Sequence, residues 1–450
     1  MIWLFSPAWV QRASAVSSWL FTADHDLPSS LINDLVEDAE NNIWIATEDG
    51  LSRYNGSTFV TYRHQTDKEH SLRHNLVRCL FVDSDGHLLV GTVEGVQMYR
   101  PETDDFSLVA TSADGGIMPG NVTQISQDRN GNLRLCGNTT CNLVIVGNEL
   151  VLEPNLLTHR VDMTQCMVED NEGVTWICQQ YKDIYRMTAE GVISRLEEQD
   201  HGVVAAYLCV GEDGQIYMAG ERQGLYRFDT VEQRFVLISD PEEHFVAATL
   251  RNSGDGHLLI GTDGNGLLSY EFSTGELKPY FFDSYQLTPS SQKVHAVLVD
   301  RNRSMWLGLY QKGVLGLTPR LMAFGYIGPK SETKNSIGDK CVTSIARTAD
   351  GKVWVSTDNG GIFCIDDEGN TIKQYAYSHE PHGVPQTVLS LYEDNQQRLW
   401  FGAFHRGLGI LDRKTGRCDY CTIEGVSEPS NIYGFAEDHK NRLWAASMGM

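Results

Sequence analysis

Nine residues at short loop positions have the types that recognise a polar, ring-shaped ligand: Tyr181 and Lys182, Arg222, Asp263 and Asn265, Tyr310 and Lys312, and His405 and Arg406. An aromatic face beside planar polar groups suits a sugar, and an Arg or Lys suits a sugar that carries a carboxylate or sulfate. Taken singly, each is an ordinary solvated loop residue. No catalytic constellation accompanies them. The fourteen histidines are scattered, neither H-E-x-x-H nor G-x-S-x-G occurs, and the glycines stand singly rather than in a phosphate loop. Cys418-Asp419-Tyr420-Cys421 is a lone C-x-x-C without a second pair or a βαβ setting, so it supports neither a zinc site nor a redox motif and leaves open only a local disulfide. The expectation is therefore a ligand-binding surface with no catalytic residue, no metal and no cofactor.

These loops belong to a unit of about 45 residues that recurs ten times, around Trp44, Leu89, Arg134, Trp176, Tyr217, Leu259, Trp306, Trp354, Trp400 and Trp444. The second copy shows the plan: a strand over 76–82, a turn at Asp83-Ser84-Asp85-Gly86, a strand over 87–92, a turn into 96–100, and an outer strand over 106–109. Four short antiparallel strands at this period predict an all-β fold, a β-propeller of four-stranded antiparallel blades.

Three aligned positions carry physical meaning. Three residues before the anchor stand Gly86, Gly131, Gly173, Gly214, Gly256 and Gly351, with Asn41 and Asn441 in two further copies. Such residues accept a positive φ in a tight turn. Arg303 and Gln397 break the pattern and predict two different turns. Asp38, Asp83, Asp128, Asp170, Asp300, Asp394 and Asp438 precede the same turn, where a carboxylate caps backbone N–H groups, and their spacing does not fit a calcium loop. Two residues after the anchor all ten copies carry Ala, Gly, Cys or Ser, which predicts that neighbouring blades crowd there.

The chain has 450 residues, 41% of them hydrophobic, and a formal charge of −23, with no Lys/Arg run. It is globular in composition, and nucleic acid is an unlikely partner because phosphate binding needs clustered positive charge. The segment 1–15 is apolar up to Trp9 and ends in Ala13-Ser14-Ala15, the form of a signal-peptidase site, although it lacks the usual basic leader residues. An ordinary first strand is the alternative. No other run is long and apolar enough to cross a bilayer, so a membrane helix, if the parent protein has one, is expected beyond Met450.

The unit seen whole in Asp38-Ala39-Glu40-Asn41-Asn42-Ile43-Trp44-Ile45-Ala46-Thr47-Glu48-Asp49-Gly50-Leu51 resembles the two-component regulator propeller repeat, and the resemblance extends over 19–450. It implies the exported, periplasmic sensor of a membrane-bound signalling protein, commonly a hybrid histidine kinase of the Bacteroidetes type that answers carbohydrate fragments; similar sensors precede diguanylate cyclases. It also implies two seven-bladed propellers in tandem. The expected organisation is a signal-like segment 1–15, a seven-bladed propeller over 16–318, a connection over 319–340, and the first blades of a second propeller over 341–450. The expected partners are a small-molecule or oligosaccharide ligand and a second copy of the chain. A rigid protein-docking scaffold and a stand-alone carbohydrate-active enzyme are the competing readings.

Overall fold

The structure is a computed structural model that describes residues 16–112, 120–180, 183–196, 205–220, 224–240, 244–280, 287, 289–319, 337, 341–366, 371–424 and 430–448. The signal-like segment 1–15 and most of the 319–340 connection lie outside these residues. Two compact units are present, one of Ser17–Phe281 with Pro289–Pro319, the other chiefly Arg320–Met450. Among the described residues the only helical element is one 3-10 turn, Pro289–Ser291.

In the first unit seven sheets follow one another around an axis. The strands nearest the axis are Ile32–Glu37, Val77–Val82, Val122–Gln127, Thr164–Glu169, Ala205–Val210, Ala247–Asn252 and Val294–Val299. Each touches the next, and the seventh touches the first, so the ring is closed. The first sheet continues outward through Ile43–Thr47, Gly50–Tyr54 and Phe59–Tyr62. The third departs from the expected four strands, because Thr111–Ser112 adds a parallel fifth beside Glu149–Glu153. The seventh is completed from the other end of the chain: Val16–Phe21 is the outer neighbour of Gly313–Pro319.

Five of the first hairpins are built on one device. Asp300 Oδ1 accepts from the backbone N–H groups of Asn302 (2.9 Å) and Ser304 (2.8 Å), and its Oδ2 accepts from Trp306 Nε1 (2.9 Å). The same pattern joins Asp38 to Trp44, Asp170 to Trp176, Asp394 to Trp400 and Asp438 to Trp444. In the third sheet Arg134 replaces the indole and reaches Asp128 at 2.8 Å. The anchor thus buries its ring between sheets while the turn carboxylate satisfies its one donor. Arg303 and Gln397 do not make different turns: their φ values, 62° and 59°, match the 63° of Asn41. The tight turn imposes the left-handed conformation even where a side chain makes it unfavourable.

The small residue after the anchor meets the next sheet's innermost strand. A Cβ at Gly91 would lie 2.5 Å from Cys79 Sγ and 2.8 Å from Val122 Cγ1, and one at Gly308 would lie 2.7 Å from Ile32 Cγ2. Cores therefore form between sheets: Trp44, Ala46 and Leu51 of the first pack with Leu80, Val90, Tyr99 and Phe106 of the second. In the second unit the same hairpins recur in Val342–Arg347 with Val353–Thr357, Val388–Glu393 with Leu399–Ala403, and Asn431–Glu437 with Leu443–Met448. Cys418 and Cys421 are free thiols on the single strand Cys418–Cys421, one buried and one exposed. Residues three apart on a strand face opposite sides, which rules out a bond between them.

Replacing Asp300 by Ala removes three hydrogen bonds and strands the buried indole N–H of Trp306. A loss of about 2–4 kcal/mol is expected. Urea unfolding measures it, and an unchanged midpoint would contradict the role given to this carboxylate.

Candidate site in the central channel

The seven innermost strands enclose a channel of ≈ 910 Å³. Its wall is shaped by an irregularity that recurs in every sheet. Pairing with the second strand skips one residue between Ile32 and Asp34, Val77 and Cys79, Val122 and Gln124, Thr164 and Cys166, Ala205 and Tyr207, Ala247 and Thr249, and Val294 and Ala296. Such a bulge leaves one residue unpaired and re-aims its side chain. The bulged residues are Asn33, Arg78, Thr123, Gln165, Ala206, Ala248 and His295, and of these Asn33, Arg78, Thr123, Gln165, Ala248 and His295 line the channel.

Part of this polar wall stitches neighbouring sheets. Asn33 Nδ2 donates to the Val77 carbonyl at 2.7 Å, and Thr123 Oγ1 donates to that of Thr164 at 2.6 Å. The following residue does the complementary work: Asp34 Oδ2 accepts from Leu80 N–H (2.9 Å) and Gln124 Oε1 from Met167 N–H (2.6 Å). The second unit repeats both contacts, Thr343 to the Val388 carbonyl and Leu391 N–H to Ser344 Oγ. At these three sheet pairs the bulge frees backbone groups that the preceding sheet's side chains then satisfy.

At one mouth the loop between the second and third strands of the sixth sheet meets the segment entering the seventh. Asp263 pairs with Lys293 in an isolated bridge, and its carboxylate lies 2.8 Å from Lys293 Nζ. His295 Nε2 is 3.6 Å from the same carboxylate, too long for a hydrogen bond, and this buried nitrogen has no other partner. Tyr310 lies over the pair, its ring centroid 5.0 Å from that of His295 and 5.4 Å from Lys293 Nζ. Lys312 Nζ donates to Gln292 Oε1 at 2.7 Å. The hydrogen bond from Lys293 holds the Asp263 carboxyl below the usual carboxylate range. Burial pushes the His295 pKa down, against the pull of Asp263.

Of the residues expected at a binding surface, Asp263, Tyr310 and Lys312 gather around the Gln292–His295 segment. Asn265 stays in its turn, its N–H donated to Thr262 Oγ1 at 2.9 Å, and it does not line the channel. Tyr181, Lys182 and Arg222 lie outside the described residues. His405 and Arg406 belong to the second unit, where the Arg406 guanidinium stacks on Tyr420 at 4.6 Å and donates to the Glu380 and Pro381 carbonyls. Sequence reasoning missed Lys293, His295 and the bulged residues. The ligand atoms of Asp83, Asp85 and His87 lie within 4.8 Å of one another, but Asp83 already accepts from the N–H groups of Asp85 and His87 and from the His87 ring. That cluster is the turn cap of the second sheet.

Segments 26–49, 71–94 and 336–359 match the two-component regulator propeller family. The three matches fall on the first, second and eighth of the ten repeats. Among solved structures, the chain is similar to the extracellular domain assigned to a hybrid two-component system of B. thetaiotaomicron, with TM-score 0.75, 19% identity, and coverage of 96% of this chain and 58% of that one. A second B. thetaiotaomicron extracellular domain, assigned to a one-component system, gives TM-score 0.53 at 18% identity over 96% of this chain and 57% of the other. Virginiamycin B lyase from Staphylococcus aureus gives TM-score 0.50 at 13% identity over 67% of this chain and 98% of the lyase. At these identities the likeness is one of fold, the β-propeller. The chain spans a little under three fifths of the two B. thetaiotaomicron domains. No curated protein matches it.

The mouth cluster predicts a coupled titration. Asp263 is depressed, so its contribution to stability is present above the ordinary carboxylate pKa and is lost as the pH falls through its lowered folded value. Lys293→Met removes the charge that holds Asp263 down and also a like charge beside His295. The Asp263 pKa should rise, and so should that of His295, now the sole cation facing that carboxylate. NMR titration of the imidazole checks this; a His295 midpoint that stays put or falls would contradict the assignment.

Proposed function

We propose that this chain is the extracytoplasmic, periplasmic sensor region of a membrane-bound two-component protein, and that it binds a carbohydrate fragment at the channel mouth beside Tyr310. The observation that carries the reading is the mouth itself: an aromatic ring half open to solvent next to the fixed polar groups of Asp263, Lys293 and His295, at the entrance to a wide polar channel. Sugars are bound by that combination, ring stacking for the apolar face and directed hydrogen bonds for the hydroxyls. The regulator-propeller repeats and the likeness to extracellular domains of signalling systems support the sensor role. The output in this reading is a histidine kinase across the membrane, biased by a homodimer of sensor regions whose arrangement the ligand changes. Only a ligand with unequal affinity for the two arrangements can transmit a signal.

A ligand that binds the folded ring and not the unfolded chain raises its stability, by about 2.7 kcal/mol at a hundred times its Kd. One glycan class in a thermal-shift screen should therefore raise the melting temperature by several degrees, and Tyr310→Ala should remove most of that rise. If no glycan shifts the folded chain, the sugar-sensing reading fails and the protein-docking scaffold takes its place.

A further inference from the structure

The charges along the channel wall cancel with one exception. Asp34 pairs with Arg251 across the channel at 3.0 Å. Asp263 pairs with Lys293 at 2.8 Å. Asp128 and Glu169 share Arg134, at 2.8 Å and 3.2 Å, and Glu169 also binds Arg129 at 2.6 Å. Arg78 is left over. Its neighbours at the same ring level, Asn33 and Thr123, spend their side chains on the next sheet, but among the described residues the exposed Arg78 guanidinium has neither a carboxylate nor a carbonyl partner. A guanidinium offers five donors in a planar fork and no acceptor, so it is complementary to a carboxylate or sulfate.

Two further polar atoms on the same wall are buried without partners, Asn121 Oδ1 and His295 Nε2. The Gln165 amide, at the same level as Arg78, is also unpartnered among the described residues. One unpaired cation and one free amide on the same open wall describe a ligand with one negative charge and hydroxyl groups beside it.

We propose that the channel selects a monoanionic hydroxylated ligand, an acidic sugar, whose oxyanion is bound by Arg78 and whose hydroxyls meet the Gln165 amide. The proposal rests on the sugar-sensing reading and narrows it to one ligand class. Carboxylate and sulfate share the chemistry that Arg78 recognises, and the test separates them.

Isothermal titration of the full chain with D-glucuronate, D-glucose 6-sulfate and D-glucose decides the matter, in the wild type and in Arg78→Gln and Arg78→Lys. At least one acidic sugar should bind about tenfold or more tighter than glucose, and the stronger of the two identifies the oxyanion. Arg78→Gln should remove that preference with the circular dichroism spectrum unchanged, while Arg78→Lys keeps the charge and retains part of it. Glucose binding as tightly as the acids, or acid binding indifferent to Arg78→Gln, overturns the proposal and leaves sugar sensing standing. Binding by none of the three, with no shift from any glycan in the thermal screen, overturns both.

Discussion

The closing of the ring is the constraint on which everything else in the first unit depends. A four-stranded sheet with two apolar faces is stable only when both are covered, and in a ring each sheet covers its neighbours. The seventh sheet obtains its outer strand from Val16–Phe21, so segments that are distant in sequence share one sheet. Gly313, at φ 90°, and Gly316 give that strand room: a side chain at the first would strike the Phe21 carbonyl, and one at the second would lie 2.5 Å from the Trp19 indole. Trp19 and Phe21 then pack against Trp306, and Phe21 reaches Tyr54 and Phe59 of the first sheet. One strand therefore ties the seventh sheet to the first.

Closure in turn fixes how near the innermost strands come to one another. Ala, Gly, Cys or Ser after each anchor allows the close approach, and the bulge turns one residue per strand toward the axis. The two features are coupled. The bulge interrupts the ladder and frees an N–H and a carbonyl, and the strands are close enough for side chains of the preceding sheet, Asn33 and Asp34 or Thr123 and Gln124, to satisfy both. A polar wall is thus a structural necessity before it is a binding surface, and most of its polar groups are already engaged.

The fold was legible because it repeats. The period of the anchors, the positive-φ turn residues and the small residue after each anchor are local demands, and each sheet states them again. Arg303 and Gln397 misled because residue type was read as turn type, whereas the cap from Asp300 or Asp394 holds the same turn regardless. The site was legible only in part. Asp263, Tyr310 and Lys312 stand in loops that vary while the scaffold does not, which made them visible. Their partners Lys293 and His295 stand at the start of the next sheet, His295 within its innermost strand and Lys293 just before it, and nothing local in the sequence joins the two segments. The bulged residues were invisible for a further reason: a bulge is a property of pairing, and at that column Asn, Arg, Thr, Gln, Ala, Ala and His look like noise until the register is known.

An acidic ligand is at first sight a poor match for a chain of formal charge −23. The excess negative charge is distributed over a large surface, and at physiological salt its field decays within roughly 8 Å. Inside the channel the relevant quantity is the local sum, and there the carboxylates of Asp34, Asp128, Glu169 and Asp263 are neutralised by Arg251, Arg134, Arg129 and Lys293 at salt-bridge distance. Low-dielectric walls strengthen whatever charge remains, and the strands that carry it are fixed by closure, so no reorganisation is needed to present it. The acidic exterior and the single unpaired cation within act at different ranges: the first is screened over a Debye length, and the second is the one uncompensated charge that an entering anion meets.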